Sequence, residues 1–245
     1  MKPNTQSRTI EFTCPMLPVM TSRGPGDEER HEPMLATRSI TGREAVGELF
    51  EYVVVAESQP DFLLNPADAA QIDLEPIVGT HGTVAIEPAG VGADTRYING
   101  EIVSARIRCV EDRAAVYEFV LRPFVWRATQ NCDSRIFSGS VTDVLRDVLA
   151  KYAGTVEWRI NGPEGGKGYY PPREMIRQAW ESDWTFARRL MEEWGLVFWF
   201  EHREDFHSLI IADSPGGFRR HGIACETLRY PRAAGSTKNT SANCP

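Results

Sequence analysis

Ser182-Asp183-Trp184-Thr185-Phe186-Ala187-Arg188-Arg189-Leu190-Met191-Glu192-Glu193-Trp194-Gly195 is the stretch whose reading decides the fold. Ser182 stands where a helix takes its cap, and Phe186, Leu190, Met191 and Trp194 return at helical spacing on one face until Gly195 ends the run. Glu192 and Glu193 fall on the opposite, solvated face. Leu196–His202 and His207–Asp213 follow at once as two strands around Arg203-Glu204-Asp205-Phe206, so a helix feeds a hairpin. Leu196–Phe200 is apolar on both strand faces, which requires cover on both sides, one of them from another subunit.

Upstream, Ser140–Tyr152 reads as a second helix. Val141, Val144, Leu145, Val148, Leu149 and Tyr152 form one stripe, Ser140 and Asp143 make a capping pair, Asp147 and Lys151 an i,i+4 pair, and Gly154 closes the end. Before it the periodicity is that of strands. Leu49–Glu57 is β-branched and aromatic, Thr83–Glu87 is short, and Ile98–Val110 turns at Glu111-Asp112-Arg113 into Ala115–Arg122. In the long strand Val103, Ala105, Ile107 and Cys109 share one face, which makes Cys109 a small core residue. Asn65-Pro66 opens like a short helical turn.

The ends read differently. Residues 1–33 hold five prolines, a Gly24-Pro25-Gly26 break and a charged run, and residues 231–245 are mainly small and polar; both are expected to be disordered tails. Residues 34–130 then form a first β-barrel-like domain, and residues 131–230 a helix-containing connector with a second β-rich domain.

The 245 residues carry 34 acids against 27 bases, a net charge of −7, which counts against nucleic acid or an anionic membrane as the partner. At this length about three-quarters of the unfolded surface can be buried, enough for a real core. No apolar run approaches the roughly 20 residues needed to span a bilayer, and no signal peptide opens the chain, so the reading is cytoplasmic. Five widely spaced cysteines with no C-x-x-C fit a reducing compartment.

Chemistry is sparse. Gly162-Pro163-Glu164-Gly165-Gly166-Lys167-Gly168 lacks the hydroxyl that a phosphate loop places on Mg²⁺, and reads as a flexible loop. His202 and His207, beside Glu201, Glu204 and Asp205, are the one set that suggests a metal; two histidines flanking a hairpin turn are expected to point into water instead. No catalytic, cofactor or metal residue is assigned, and the chain is expected not to be an enzyme.

The helix-hairpin stretch from Trp180 to His202 resembles the signature of the VgrG (Rhs/Vgr) family, E-S-D-x-x-F-x-x-R-L-M-E-E-x-G followed by an aromatic strand ending near histidine. Thr41-Gly42-Arg43-Glu44-Ala45, Phe50-Glu51-Tyr52, Asn99-Gly100-Glu101-Ile102, Leu121-Arg122-Pro123, Ser134-Arg135-Ile136-Phe137 and Leu209–Pro215 agree in order, over about residues 35–230. Ala179 and Trp194 depart from the residues usual at their places. The resemblance implies an α+β fold, two β-barrel-like subdomains with a few short helices, like the hub of a contractile phage tail. It implies a structural spike component of a type VI secretion apparatus. Such a component acts as a homotrimer on a tube of Hcp-like protein, with a separate needle chain or effector as further partner, and is exported without a signal peptide. The family continues into an OB-fold and a needle, which this sequence does not show. A phage-like baseplate hub and, more remotely, a metal-dependent hydrolase at His202 and His207 are the alternatives.

Overall fold

The computed structural model describes residues 9–23, 29–58, 72–87, 95–111, 114–161 and 170–218. Six strands make one antiparallel sheet: β1 (Thr9–Thr13), β4 (Leu35–Arg43), β5 (Glu51–Ser58), β6 (His81–Glu87), β7 (Arg96–Glu111) and β8 (Ala114–Arg122), in the order β1-β6-β7-β8-β5-β4. Its two edges approach each other, and the Phe12 amide donates to Thr37 Oγ1 across the gap at 2.8 Å. The sheet is therefore a nearly closed barrel, which removes most of its unpaired edge. Between β1 and β4, β2 (Val19–Arg23) and β3 (Glu29–Pro33) pair as a separate antiparallel hairpin.

Alternate residues fill the barrel. Phe12, Val54, Ala56, Val84, Ile98, Ile102, Tyr117, Phe119 and Leu121 are buried. Gly82 and Gly100 face each other across β6 and β7, and a Cβ on either would press into Phe12 or Leu121. These large side chains take the space that a second methyl would need.

Three expectations change here. Residues 1–33 are not wholly an unpacked tail: β1 belongs to the barrel, and Phe12 is part of its core. Averaged over 33 residues, the proline and charge content conceals a five-residue alternation, Thr-Ile-Glu-Phe-Thr. The single face expected for Val103 to Cys109 does not hold either, because β7 shifts register between Ile102 and Ser104 and again between Ile107 and Cys109. Each bulge moves the following side chains to the other face. Cys109 is only half-buried, and Ile107 and Val110 are exposed; among the described residues the buried cysteine is Cys14, with Sγ 3.3 Å from Thr80 Oγ1. The turn expected at Asn65-Pro66, the glycine-rich loop and the 231–245 tail lie outside the described residues.

A 3-10 turn (Phe124–Thr129) leads into the second unit: β9 (Asp133–Gly139), α1 (Val141–Leu149), β10 (Thr155–Arg159), β11 (Arg173–Glu181), α2 (Asp183–Glu193), β12 (Val197–His202) and β13 (His207–Ala212). β12 and β13 form the expected antiparallel hairpin, and β10 adds in parallel to β13. β9 and β11 pair as a two-stranded ribbon. Both helices start as their caps dictate: Ser140 Oγ accepts from the Asp143 amide at 3.2 Å, and Ser182 Oγ from the Thr185 amide at 3.1 Å. The α1 stripe from Val141 to Leu149 is buried.

Two details of the first helix differ from expectation. Lys151 reaches Asp183 of α2 at 3.6 Å. Gly154 does not cap by a left-handed turn; it lies flat under the Phe124 ring, where a Cβ would overlap it. The chain between α1 and β10 thereby packs directly on the 3-10 turn that leaves the barrel.

Candidate functional site

The signature stretch builds a buried polar cluster. Asp183, at the first position of α2, is fully buried. Its carboxylate accepts from Tyr152 Oη at 2.8 Å and from Gln178 Nε2 at 2.9 Å, and is ion-paired with Arg135. Its amide donates to Asn131 Oδ1 at 3.0 Å. Burial acts to raise its pKa, but the bonds from Gln178, Tyr152 and Asn131 and the charge of Arg135 outweigh it and hold the carboxyl below its ordinary value. Glu181, two residues earlier, pairs with Arg189 of α2 at 2.6 Å. The acidic residues of the motif thus tie β9, the end of α1, β11 and α2 together, and each has a fixed partner rather than an open approach.

The second cluster joins the hairpin to the barrel. His202 and His207 stand opposite each other at the turn end of β12 and β13. They do not point into water as expected. His202 Nδ1 accepts the Asn99 amide of β7 at 3.0 Å, and His207 Nε2 accepts the Phe124 amide at 3.1 Å. Phe50 lies against both, with ring centroids at 4.8 Å and 5.3 Å. The hairpin turn brings both rings to the wall of the barrel, a placement that local sequence could not reveal. Burial, with the nearby His202 and His81, pushes the His207 pKa down to about 3, so the ring is neutral.

His202 Nε2 faces Glu44 Oε1 at 3.5 Å. Glu44 also accepts from Tyr52 Oη at 2.8 Å and lies 3.5 Å from Arg96. Burial raises the Glu44 pKa; His202, Tyr52 and Arg96 more than offset this and hold it below the usual carboxylate value. Glu44, Tyr52 and Arg96, with Ile40, Ile86 and Ile98, line a 450 Å³ recess at the barrel mouth. Glu204 and Asp205 are exposed in the turn, apart from the histidines' ring nitrogens. Among the described residues no group of three or more His, Cys, Asp or Glu side chains gathers to hold a metal.

The aromatic strand is covered by its own chain on both faces. Phe198 and Phe200 point into the core, where Trp184 meets Phe198 edge-on at 5.1 Å. On the other face Phe218 stacks on Trp199 at 4.5 Å, and Arg159 lies over the same indole at 5.6 Å. Arg159 is nearly buried and held by Glu201 at 2.6 Å and Glu157 at 2.9 Å. The expected partner subunit is not needed to cover this strand. Exposed apolar surface lies elsewhere, on the ribbon: Ile136, Met175 and Trp180 are 70%, 65% and 78% exposed, and Trp180 occupies a bulge with φ of 51°. Glu192 and Glu193 are exposed, as expected.

A barrel locked by buried polar joints to a helix-hairpin unit is the build of a structural hub protein. The comparisons give that class its family. The family model of the phage tail baseplate hub (GPD) matches residues 43–243, and the chain belongs to this family. It is 26% identical over 231 residues to the type VI secretion system spike protein VgrG1a of Pseudomonas aeruginosa, covering 94% of this chain and 31% of that protein. With VgrG1c of the same organism it shares 27% identity over 82% of this chain and 26% of the relative. The chain thus spans about a quarter to a third of the length of these relatives. Among solved structures, the Escherichia coli c3393 protein, described as a type VI secretion component similar to the T4 tail proteins gp27 and gp5, matches with a TM-score of 0.64 at 20% identity, over 86% of this chain and 51% of that one. A Francisella VgrG in complex with PdpA matches with a TM-score of 0.54 at 10% identity, over 85% of this chain and 32% of that one. The mainly strand fold with few short helices and the VgrG-like hub expected from the signature are both found.

Proposed function

We propose that this chain is the hub portion of a type VI secretion spike: a homotrimer that docks through its barrels on a ring of Hcp-like tube protein and carries no catalysis of its own. The observation that supports this best is the match of barrel and helix-hairpin unit together to a secretion component over most of the chain. The chemistry agrees. Glu181 and Asp183 of the motif and both histidines of the hairpin are committed to partners within the fold, which suits a part that transmits load. In this reading residues 34–130 and 131–230 are the two working units, the first now extended by β1. On the same reading the spike is exported through the apparatus itself. No helix among the described residues is long and apolar enough to cross a membrane.

Association of hub units without a needle must exceed a cost of about 4–15 kcal/mol per partner. The chain alone is therefore a monomer or weak oligomer at micromolar concentration, and becomes trimeric when fused to a trimeric needle or seated on a tube ring. Light scattering over a concentration series tests this; a tight trimer of the isolated chain at nanomolar concentration refutes the need for a needle. A phage-like baseplate hub is the second reading, favoured by the description of the family itself. The neighbouring genes separate the two, tail and capsid genes in one case and secretion genes in the other.

A further inference from the structure

Hydrogen bonds between described residues cross the seam between the barrel side and the β12–β13 hairpin, four of them through Gly47, Asn99 and Phe124. Gly47 donates to the Phe198 carbonyl at 2.8 Å, and Asn99 Nδ2 to the Glu204 carbonyl at 2.9 Å. The other two are the amides of Asn99 and Phe124, and both end on imidazole nitrogens, at 3.0 Å and 3.1 Å. An imidazole nitrogen accepts only while it carries a free lone pair. A proton there puts a second N–H against the backbone N–H, so the bond is replaced by repulsion.

We propose that His202 and His207 form an acid-released latch: protonation at the accepting nitrogens frees the hairpin from the barrel wall, and the seam opens before the barrel unfolds.

The surroundings decide what the added charge meets. Glu44, after β4, faces His202 Nε2, with Arg96 of β7 3.5 Å from the same carboxylate. Tyr52 of β5 lies edge-on to His202 and holds Glu44. Toward His207 stand His202 at 5.8 Å between centroids and the charge of His81 on β6, both of which oppose a proton. Glu101 of β7 is held by Arg127 at 2.8 Å. Arg203, Glu204 and Asp205 are exposed in the turn. The rest of the His207 contact is aromatic: Phe50, Phe124 and Phe200, at 5.3 to 6.0 Å. Glu44 can therefore compensate a charge on His202; its charge also favours a proton on His207, but there burial, His202 and His81 outweigh it. The depressed His207 pKa agrees with that geometry. Protonation and opening are linked, because the open seam returns the ring to water. The barrel keeps its own core beneath the seam, from Phe12, Val84, Ile102, Tyr117 and Phe119.

Hydrogen exchange of the whole chain, read by mass spectrometry and corrected for intrinsic rate, tests the latch. A ring that titrates near 6.5 when open and near 3 when closed raises the opening constant about thirtyfold between pH 7.5 and pH 5. Protection should fall by that factor in peptides carrying the amides of Gly47, Asn99 and Phe124, and hold in the peptide Val116–Leu121. The double variant His202→Asn, His207→Gln keeps a carbonyl acceptor near each amide and cannot titrate, so its seam should be insensitive to pH. Seam protection that follows the barrel peptide in wild type, or an equal fall in the variant, overturns the proposal. If the variant does not fold, the Cε1–H resonances of wild type decide: seam loss coincident with ring protonation supports the latch, and protonation without seam loss, or seam loss with neutral rings, refutes it.

Discussion

Asp183→Ala should be among the most damaging single changes outside the apolar core. The carboxylate is fully buried and satisfies Gln178 Nε2, Tyr152 Oη and the Arg135 guanidinium together. Removing it leaves one N–H of the fully buried Gln178 without an acceptor, which costs about 1–3 kcal/mol. The favourable charge at the first turn of α2 is worth a further 0.3–1 kcal/mol, about what such sites give. Arg135 and Lys151 are partly exposed, at 23% and 48%, and recover some hydration. These terms add to about 1–4 kcal/mol, the upper end of which meets the roughly 3–5 kcal/mol typical of losing one partner from a buried pair. Asp183→Asn keeps one acceptor oxygen and should lose about 1–3 kcal/mol. Exposed Glu192→Ala is the control, at no more than about 0.5 kcal/mol. Urea unfolding at pH 7, followed by tryptophan fluorescence, measures all three. The folded pKa of Asp183 lies below its ordinary 3.8, so its contribution is complete above that value and is lost as pH falls through the folded one. The gap between wild type and Asp183→Ala should therefore narrow only below about pH 4. An alanine variant within 0.5 kcal/mol of wild type, or equal to Glu192→Ala, refutes the reading of this cluster as the tie between four elements.

Other changes probe separate parts of the structure. Phe12→Ala should cost about 3–5 kcal/mol, and a negligible effect in the same melts would return β1 to the status of a tail. Leu145→Ala should cost about 2–5 kcal/mol against no more than about 0.5 for exposed Asp147→Ala, and equal effects would mean that α1 buries another face. Gly154→Ala must displace the Phe124 ring and should cost about 1–3 kcal/mol, whereas a neutral result would show the two are not in contact. Trp180→Gly relieves a left-handed backbone position under an exposed indole and should be neutral or stabilising by up to about 1 kcal/mol; a loss of more than that would mean the ring is packed.

Local chemistry carried far in the sequence. Ser140 and Ser182 cap where their side chains can reach an amide, and the stripes behind them are buried because helical spacing leaves them no other face. The β12–β13 hairpin follows from alternation around four polar residues. What local patterns could not show were features set by distant chain. The bulges of β7 are fixed by its pairing with β8, so the faces after Ile102 cannot be read from β7 alone. β10 finds its parallel partner across about fifty residues, and β1 its partner across about seventy. His202 and His207 looked solvent-facing because a hairpin turn by itself leaves them so; Asn99 and Phe124, on elements far back in the chain, take them inward. Trp199 likewise finds its cover in Phe218 and Arg159 rather than in a neighbouring subunit.

The central claim is that this chain serves as a hub on a tube, and reconstitution on the tube tests it most directly. The full chain, alone and fused upstream of a trimeric needle, is mixed with an Hcp-like tube protein, and complexes are separated by size and imaged by electron microscopy. The account predicts that the fused trimer caps tube rings with three copies per six-membered ring, and that the free chain binds more weakly at the same end. A trimerised chain that folds, keeps its barrel and still shows no association with the tube at tens of micromolar would contradict it.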